Sequence, residues 1–127
     1  MAVATLEHVN ITVSDPHKTA DMLCRLFDWK IRWQGPSAVG GYTIHVGTDD
    51  DYVALYSEGK IEKSGISNYR QRGGLNHIGI VVEDLDKTEK RILEAGYQTQ
   101  SHADYEPGKR FYFFDRDEVE FEVVSYN

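Results

Sequence analysis

An internal echo constrains this chain more than any other feature. "LEHVNITVSDP", Leu6 to Pro16, superimposes on "LNHIGIVVEDL", Leu75 to Leu85, at an offset of 69, which matches His8 to His77. Self-similarity at a fixed period means that one supersecondary unit has been used twice. The echo continues past these strands. Asp15 with Pro16 forms an N-cap and first-turn pair, and Ala20, Leu23, Leu26 and Phe27 follow at helical spacing. In the second copy Asp84 or Asp86 can cap, Leu85, Ile92 and Leu93 form the apolar stripe, and Gly96 is a natural stop. "YTIHVGTDDDYVALYS", Tyr42 to Ser57, then aligns with "RFYFFDRDEVEFEVVS", Arg110 to Ser125, at an offset of 68, and both read strand, acidic turn, strand. Each half is therefore expected to be one strand, one helix and three strands. Repeat 1 spans about 4–57 and repeat 2 spans 75–127. The polar, glycine-bearing segment 58–74 between them is expected to be a mobile loop.

Composition limits the partners. The 127 residues and 40% hydrophobic content suit a single domain over 1–127 with a real core. A formal charge of −7 with no basic cluster argues against nucleic acid and anionic lipid, leaving small molecules as the expected partners. No apolar run approaches a membrane span, and "MAVATLEHV" lacks a signal-peptide layout, so a cytoplasmic location is expected. The one cysteine, Cys24, lies in a helical pattern and reads as a small buried hydrophobe.

Strand alternation places the histidines. Val9, Ile11 and Val13 share one face of the first strand, and His8, Asn10 and Thr12 share the other. In the second copy Ile78, Ile80 and Val82 oppose His77, Gly79 and Val81. On the last strand Phe121 and Val123 oppose Glu120, Glu122 and Val124. The face without the helix thus carries charge in need of water or a partner.

Two βαβββ copies, each opening on "xHxxIxV", and the closing hairpin "FYFFDRDEVEFEVV" resemble the vicinal oxygen chelate superfamily. This superfamily groups glyoxalases, bleomycin-resistance proteins, fosfomycin-resistance enzymes, methylmalonyl-CoA epimerases and extradiol dioxygenases. The resemblance covers nearly the whole chain. It implies an α+β fold in which two repeats form curled mixed sheets around a cavity, with one helix packed outside each. It also implies a divalent metal held by one position on the first strand and one on the last strand of each copy. Those positions fall on His8, Ala54, His77 and Glu122. Alanine cannot ligate, so the implied set is His8, His77 and Glu122, a two-histidine, one-carboxylate set that leaves coordination positions open. Iron, manganese, zinc, cobalt and nickel all suit these donors. Each residue also has an ordinary alternative, since a strand histidine is often only hydrogen-bonded and Glu122 sits in an acidic hairpin.

The same comparison and the same alternation give the substrate-facing candidates Asn10, Tyr52, Tyr56, Arg110, Tyr112 and Glu120. Arg110 is either an anion fork or a surface partner of Glu120 or Asp104. The tyrosines are either cavity walls or packing residues. His17 is expected to face solvent, His45 to point away from the cavity, because the uniform offset matches Ile44 to Tyr112, and His102 to lie in the loop "SHADYEPGKR". The implied function is a metal-dependent lyase, isomerase, thiol transferase or ring-cleaving dioxygenase acting on a small oxygen-bearing substrate. The alternative is a metal-free binding or sequestering protein lined by Tyr52, Tyr56, Tyr112 and Phe114. The resemblance further implies a homodimer.

Overall fold

The computed structural model describes residues 2–38, 40–105 and 107–127. The chain divides into two compact units, Met1–Lys63 and Ser64–Asn127. The boundary falls inside the segment read as a linker.

In the first unit, strand β1 (His8–Thr12) leads into helix α1 (Pro16–Phe27), followed by β2 (Lys30–Pro36), β3 (Tyr42–Gly47) and β4 (Tyr52–Ser57). The sheet order is β1-β4-β3-β2, with β1 parallel to β4 and the other pairs antiparallel. Helix α1 starts where expected. The Asp15 carboxylate accepts the amides of His17 and Lys18, and Pro16 occupies the first turn, where its missing N–H costs nothing. Asp28, left-handed at φ 59°, ends the helix and donates its amide to the Cys24 carbonyl. Ala20, Leu23 and Leu26 are buried against Val13, Ile44, Val46, Val53 and Leu55, which all come from one face of the sheet or its continuation. Fully burying each of these leucine, isoleucine and valine side chains is worth roughly 1.5–3 kcal/mol, so this seam supplies the unit's cohesion.

The second unit repeats the plan: β5 (Ile78–Val81), α2 (Leu85–Glu94), β6 (Thr99–Tyr105), β7 (Gly108–Phe114) and β8 (Glu120–Ser125), in sheet order β5-β8-β7-β6. Of the two possible caps the structure uses Asp84, which accepts the Lys87 amide. Gly96, at φ 98°, donates to the Leu93 carbonyl and closes the helix, a conformation that costs glycine no Cβ clash. Ile92 is fully buried, as are Phe111, Phe113, Phe121 and Val123 on one face of β7 and β8, whereas Leu93, expected in the apolar stripe, is 50% exposed. The stripe is narrower because this helix is short and charged.

One other expectation changes. "SHADYEPGKR" is largely strand: His102 lies inside β6 and Arg110 inside β7, while Glu106 lies outside the described residues. The segment 58–74 contains a single 3-10 turn at Asn68–Arg70, and the Tyr69 hydroxyl on it donates to Glu120 at 2.5 Å.

Candidate functional site

The helix-free face of the second sheet is built around Glu122. Register pairs Gly79 with Glu122 across β5 and β8, and Tyr112 with Glu122 across β7 and β8. Directly paired residues share a face, so Glu122 is flanked by a ring on one side and by no side chain on the other. A Cβ at Gly79 would meet nothing within 4 Å. Into this gap His77, just before β5, brings Nε2 to 3.1 Å from Glu122 Oε1. The second carboxylate oxygen, Oε2, accepts from the Arg110 guanidinium at 2.8 Å. Glu122 and Arg110 are 13% and 14% exposed, so this is a largely desolvated, charge-assisted pair. The hydrogen bond to Glu122 holds the Arg110 pKa above its ordinary value. Tyr105 lies across the guanidinium, with its ring centre 5.0 Å from the Arg110 Cζ.

Neither expected partner of Arg110 is used. Asp104 faces Lys109 at 3.8 Å, and Glu120 takes the Tyr69 hydroxyl. Tyr112 meets His77 edge-on, with centroids 5.7 Å apart. Burial, then the neighbouring Glu122 charge, raises its pKa, so its hydroxyl is a donor at neutral pH. A groove of about 520 Å³ lined by Asp104, Tyr105, Pro107, Gly108, Lys109, Tyr126 and Asn127 lies at the β6–β7 end and does not include His77 or Glu122.

On the first unit the helix-free face carries His8, Asn10, Tyr52, Ala54 and Tyr56, because β1 and β4 pair His8 with Tyr52, Asn10 with Ala54 and Thr12 with Tyr56. His8 Nδ1 is 2.8 Å from Glu7 Oε1, which also receives the Tyr52 hydroxyl at 3.4 Å. The hydrogen bond from His8 lowers the Glu7 pKa. A carboxylate on Nδ1 fixes the ring and leaves Nε2 for another partner, as in histidines that ligate metals. Tyr56 spends its hydroxyl on the Gly40 carbonyl at 3.1 Å.

His45 overturns its expected orientation. It pairs with Ala54 across β3 and β4, so it shares the face of His8 and Tyr52, and its ring stacks on Tyr52 at 4.5 Å. The structural counterpart of Tyr112 is therefore His45 and not Ile44. The turn after β7 is one residue longer than the turn after β3, and a one-residue slip reverses every side chain. Burial, followed by the neighbouring His8, lowers the His45 pKa. His17 is exposed, as expected, and stacks on Tyr42 at 5.1 Å. Sequence reasoning also missed Glu7, Arg32, Trp33 and Tyr69. The acidic residue beside His8 was a readable signal, whereas the β-bulge that turns Arg32 and Trp33 was not.

His77 and Glu122 bring one imidazole nitrogen and one carboxylate oxygen, donors whose chemistry suits a divalent metal, to 3.1 Å from each other. Among the described residues, no three His, Cys, Asp or Glu side chains cluster closely enough to form a complete metal site.

Comparison with solved structures supports the fold. A glyoxalase/bleomycin resistance protein/dioxygenase domain from Frankia sp. EAN1pec superimposes with a TM-score of 0.82 at 22% identity, covering 99% of this chain and 94% of that one. The fosfomycin resistance protein FosX from Listeria monocytogenes, complexed with Mn(II) and sulfate ion, gives 0.71 at 18% identity, covering 99% and 95%. TnmS3, an antibiotic binding protein from Streptomyces sp. CB03234, gives 0.74 at 17% identity, covering 100% and 99%. No curated protein matches the sequence. No helix among the described residues is long and apolar enough to cross a membrane. The Glyoxalase/Bleomycin resistance protein/Dioxygenase superfamily model matches residues 5–123, and the chain belongs to that superfamily.

Proposed function

We propose that this chain is a metal-dependent enzyme acting on a small oxygen-bearing substrate, with His8, His77 and Glu122 as protein ligands to a divalent iron, manganese, zinc, cobalt or nickel ion. The observation that carries this reading is the 3.1 Å approach of His77 Nε2 to Glu122 Oε1, with Oε2 held by Arg110. Two donors of the right chemistry meet on adjacent strands, and the arginine leaves one carboxylate oxygen to offer. The superfamily and the Mn(II)-bound neighbour support the same reading. Such an ion, when bound, supplies Lewis acidity to substrate oxygens. Arg110 orients Glu122, Glu7 orients His8, and Tyr112 and Asn10 offer hydrogen bonds to the substrate. His8 comes from the first unit of the same chain or of a second copy, and a homodimer belongs to the proposal.

A metal-free binding protein is the second reading, supported by Ala54 in place of a fourth ligand and by the charge balance Arg110 already gives Glu122. Elemental analysis of protein purified without chelator, beside a His77→Ala variant, separates the two. Near-stoichiometric metal in the wild type and its loss in the variant support the enzyme. A wild type that is empty and refuses all five added ions overturns the enzyme reading and favours the binding protein.

A further inference from the structure

The helix-free face of the first unit carries a row of rings that contributes nothing to the core under α1. Trp33 approaches His45 at 5.2 Å, His45 stacks on Tyr52 at 4.5 Å and 22°, and Tyr52 stacks on His8 at 4.8 Å and 11°. The row ends in the open, because Trp33 is 50% exposed. What sets this site apart from singly exposed apolar side chains is that its rings are contiguous.

The backbone is modified to build this row. The β2–β3 register breaks between Ile31 and Trp33, where Ile31 pairs with Val46 and Trp33 pairs with His45. Arg32 is the extra residue of a β-bulge, a device that re-aims side chains and sacrifices ladder hydrogen bonds. Here the Arg32 Cζ sits 4.5 Å over the Tyr52 ring, beside the row. Gly35 makes room for Trp33, because a Cβ there would press into the indole at 3.1 Å. Lys30 is joined to Asp49 and Glu7 is engaged by His8 and Tyr52, while Arg32 lies close enough to interact with both carboxylates.

We propose that this face binds a planar aromatic carboxylate, with its ring stacked on Trp33 and His45 and its carboxylate on the Arg32 guanidinium. The ring row selects flat, polarisable ligands, and the guanidinium fork matches a carboxylate. The inference rests on the small-molecule part of the function proposed above and is independent of the metal.

Calorimetric titration of chelator-treated, full-length protein with 2-naphthoate tests it, with decahydro-2-naphthoate as the saturated control and 2-naphthol as the uncharged one. Trp33→Ala, His45→Ala and Arg32→Gln are compared after circular dichroism confirms that each folds. The expected result is saturable 2-naphthoate binding about tenfold or more tighter than that of the saturated acid. Trp33→Ala and His45→Ala should each weaken it about fivefold, and Arg32→Gln should weaken 2-naphthoate while leaving 2-naphthol unchanged. Equal binding of the flat and saturated acids, or variants indistinguishable from wild type, overturns the proposal. So does Trp33→Ala weakening self-association in sedimentation while 2-naphthoate fails to bind the wild type, which would make the face a contact between copies. Since no metal is present, failure here leaves the metal reading standing, and an empty metal site leaves this one standing.

Discussion

His77 and Glu122 share one contact, Nε2 to Oε1 at 3.1 Å, made across neighbouring parallel strands while the other oxygen of Glu122 is held by Arg110. The carboxylate is thereby oriented twice. The arginine compensates its charge in a largely buried position, and the histidine contacts the other oxygen. Removing either neighbour has a different consequence, and the two can be measured apart.

Arg110→Met leaves Glu122 charged and short of its main partner, and should cost about 2 kcal/mol in urea unfolding at neutral pH. Glu122→Gln should cost about 1–2 kcal/mol, and the double variant should cost little more than Arg110→Met alone, because the interaction is lost only once. Simple additivity in this double-mutant cycle would mean that the pair does not organise the sheet.

Metal binding should be visible as stability before any activity is known. Mn(II) at about one hundred times its dissociation constant should stabilise chelator-treated protein by about 2.7 kcal/mol, since only the folded state assembles the donors. His77→Ala should remove that gain, as should Glu122→Gln. An identical upward shift in all three proteins would place the ion elsewhere.

The strand faces were legible because they follow alternation alone: His8 with Asn10, and Glu120 with Glu122, lie where a period of two puts them. The N-cap of α1 was legible because Asp15 and Pro16 act within one turn. His45 was not, because its face depends on the length of a turn several residues away. Arg32 and Trp33 were obscured in the same way by the β2 bulge, and a uniform repeat offset cannot register either shift. The Tyr69–Glu120 bond was beyond reach because it joins a segment without periodicity to a distant strand. Local rules carry as far as the next insertion.

Tyr69 ties the inter-repeat segment to the rim of the second sheet, and hydrogen bonding to Glu120 pushes its pKa up to about 12. A raised folded-state value means that the contribution is fully present below the ordinary tyrosine pKa near 10 and is lost as pH rises through about 12. Tyr69→Phe should therefore speed amide exchange in residues 64–72 at neutral pH and remove one late-titrating hydroxyl from the ultraviolet titration. Global stability should change by less than about 0.5 kcal/mol, because the ring is largely exposed. Unchanged exchange in that segment would show that the bond does not restrain it.

Glu89 on α2 is held by His102 at 2.6 Å and by the Thr99 hydroxyl, so it staples the helix to β6 next to the bulge where Ser101 takes φ 55°. Burial raises its pKa, but the hydrogen bonds from Thr99 and His102 outweigh that effect and leave the carboxyl below its ordinary value of 4.5. A lowered folded-state value contributes stability above the unfolded pKa, and that stability is lost as pH falls through the depressed one. Glu89→Gln should thus cost about 1 kcal/mol at pH 7. The gap to wild type should close progressively below about pH 4.5, measured as urea midpoints across a pH series. A gap that stayed constant down to the acid transition would assign the cost to lost packing, and the staple would then owe nothing to charge.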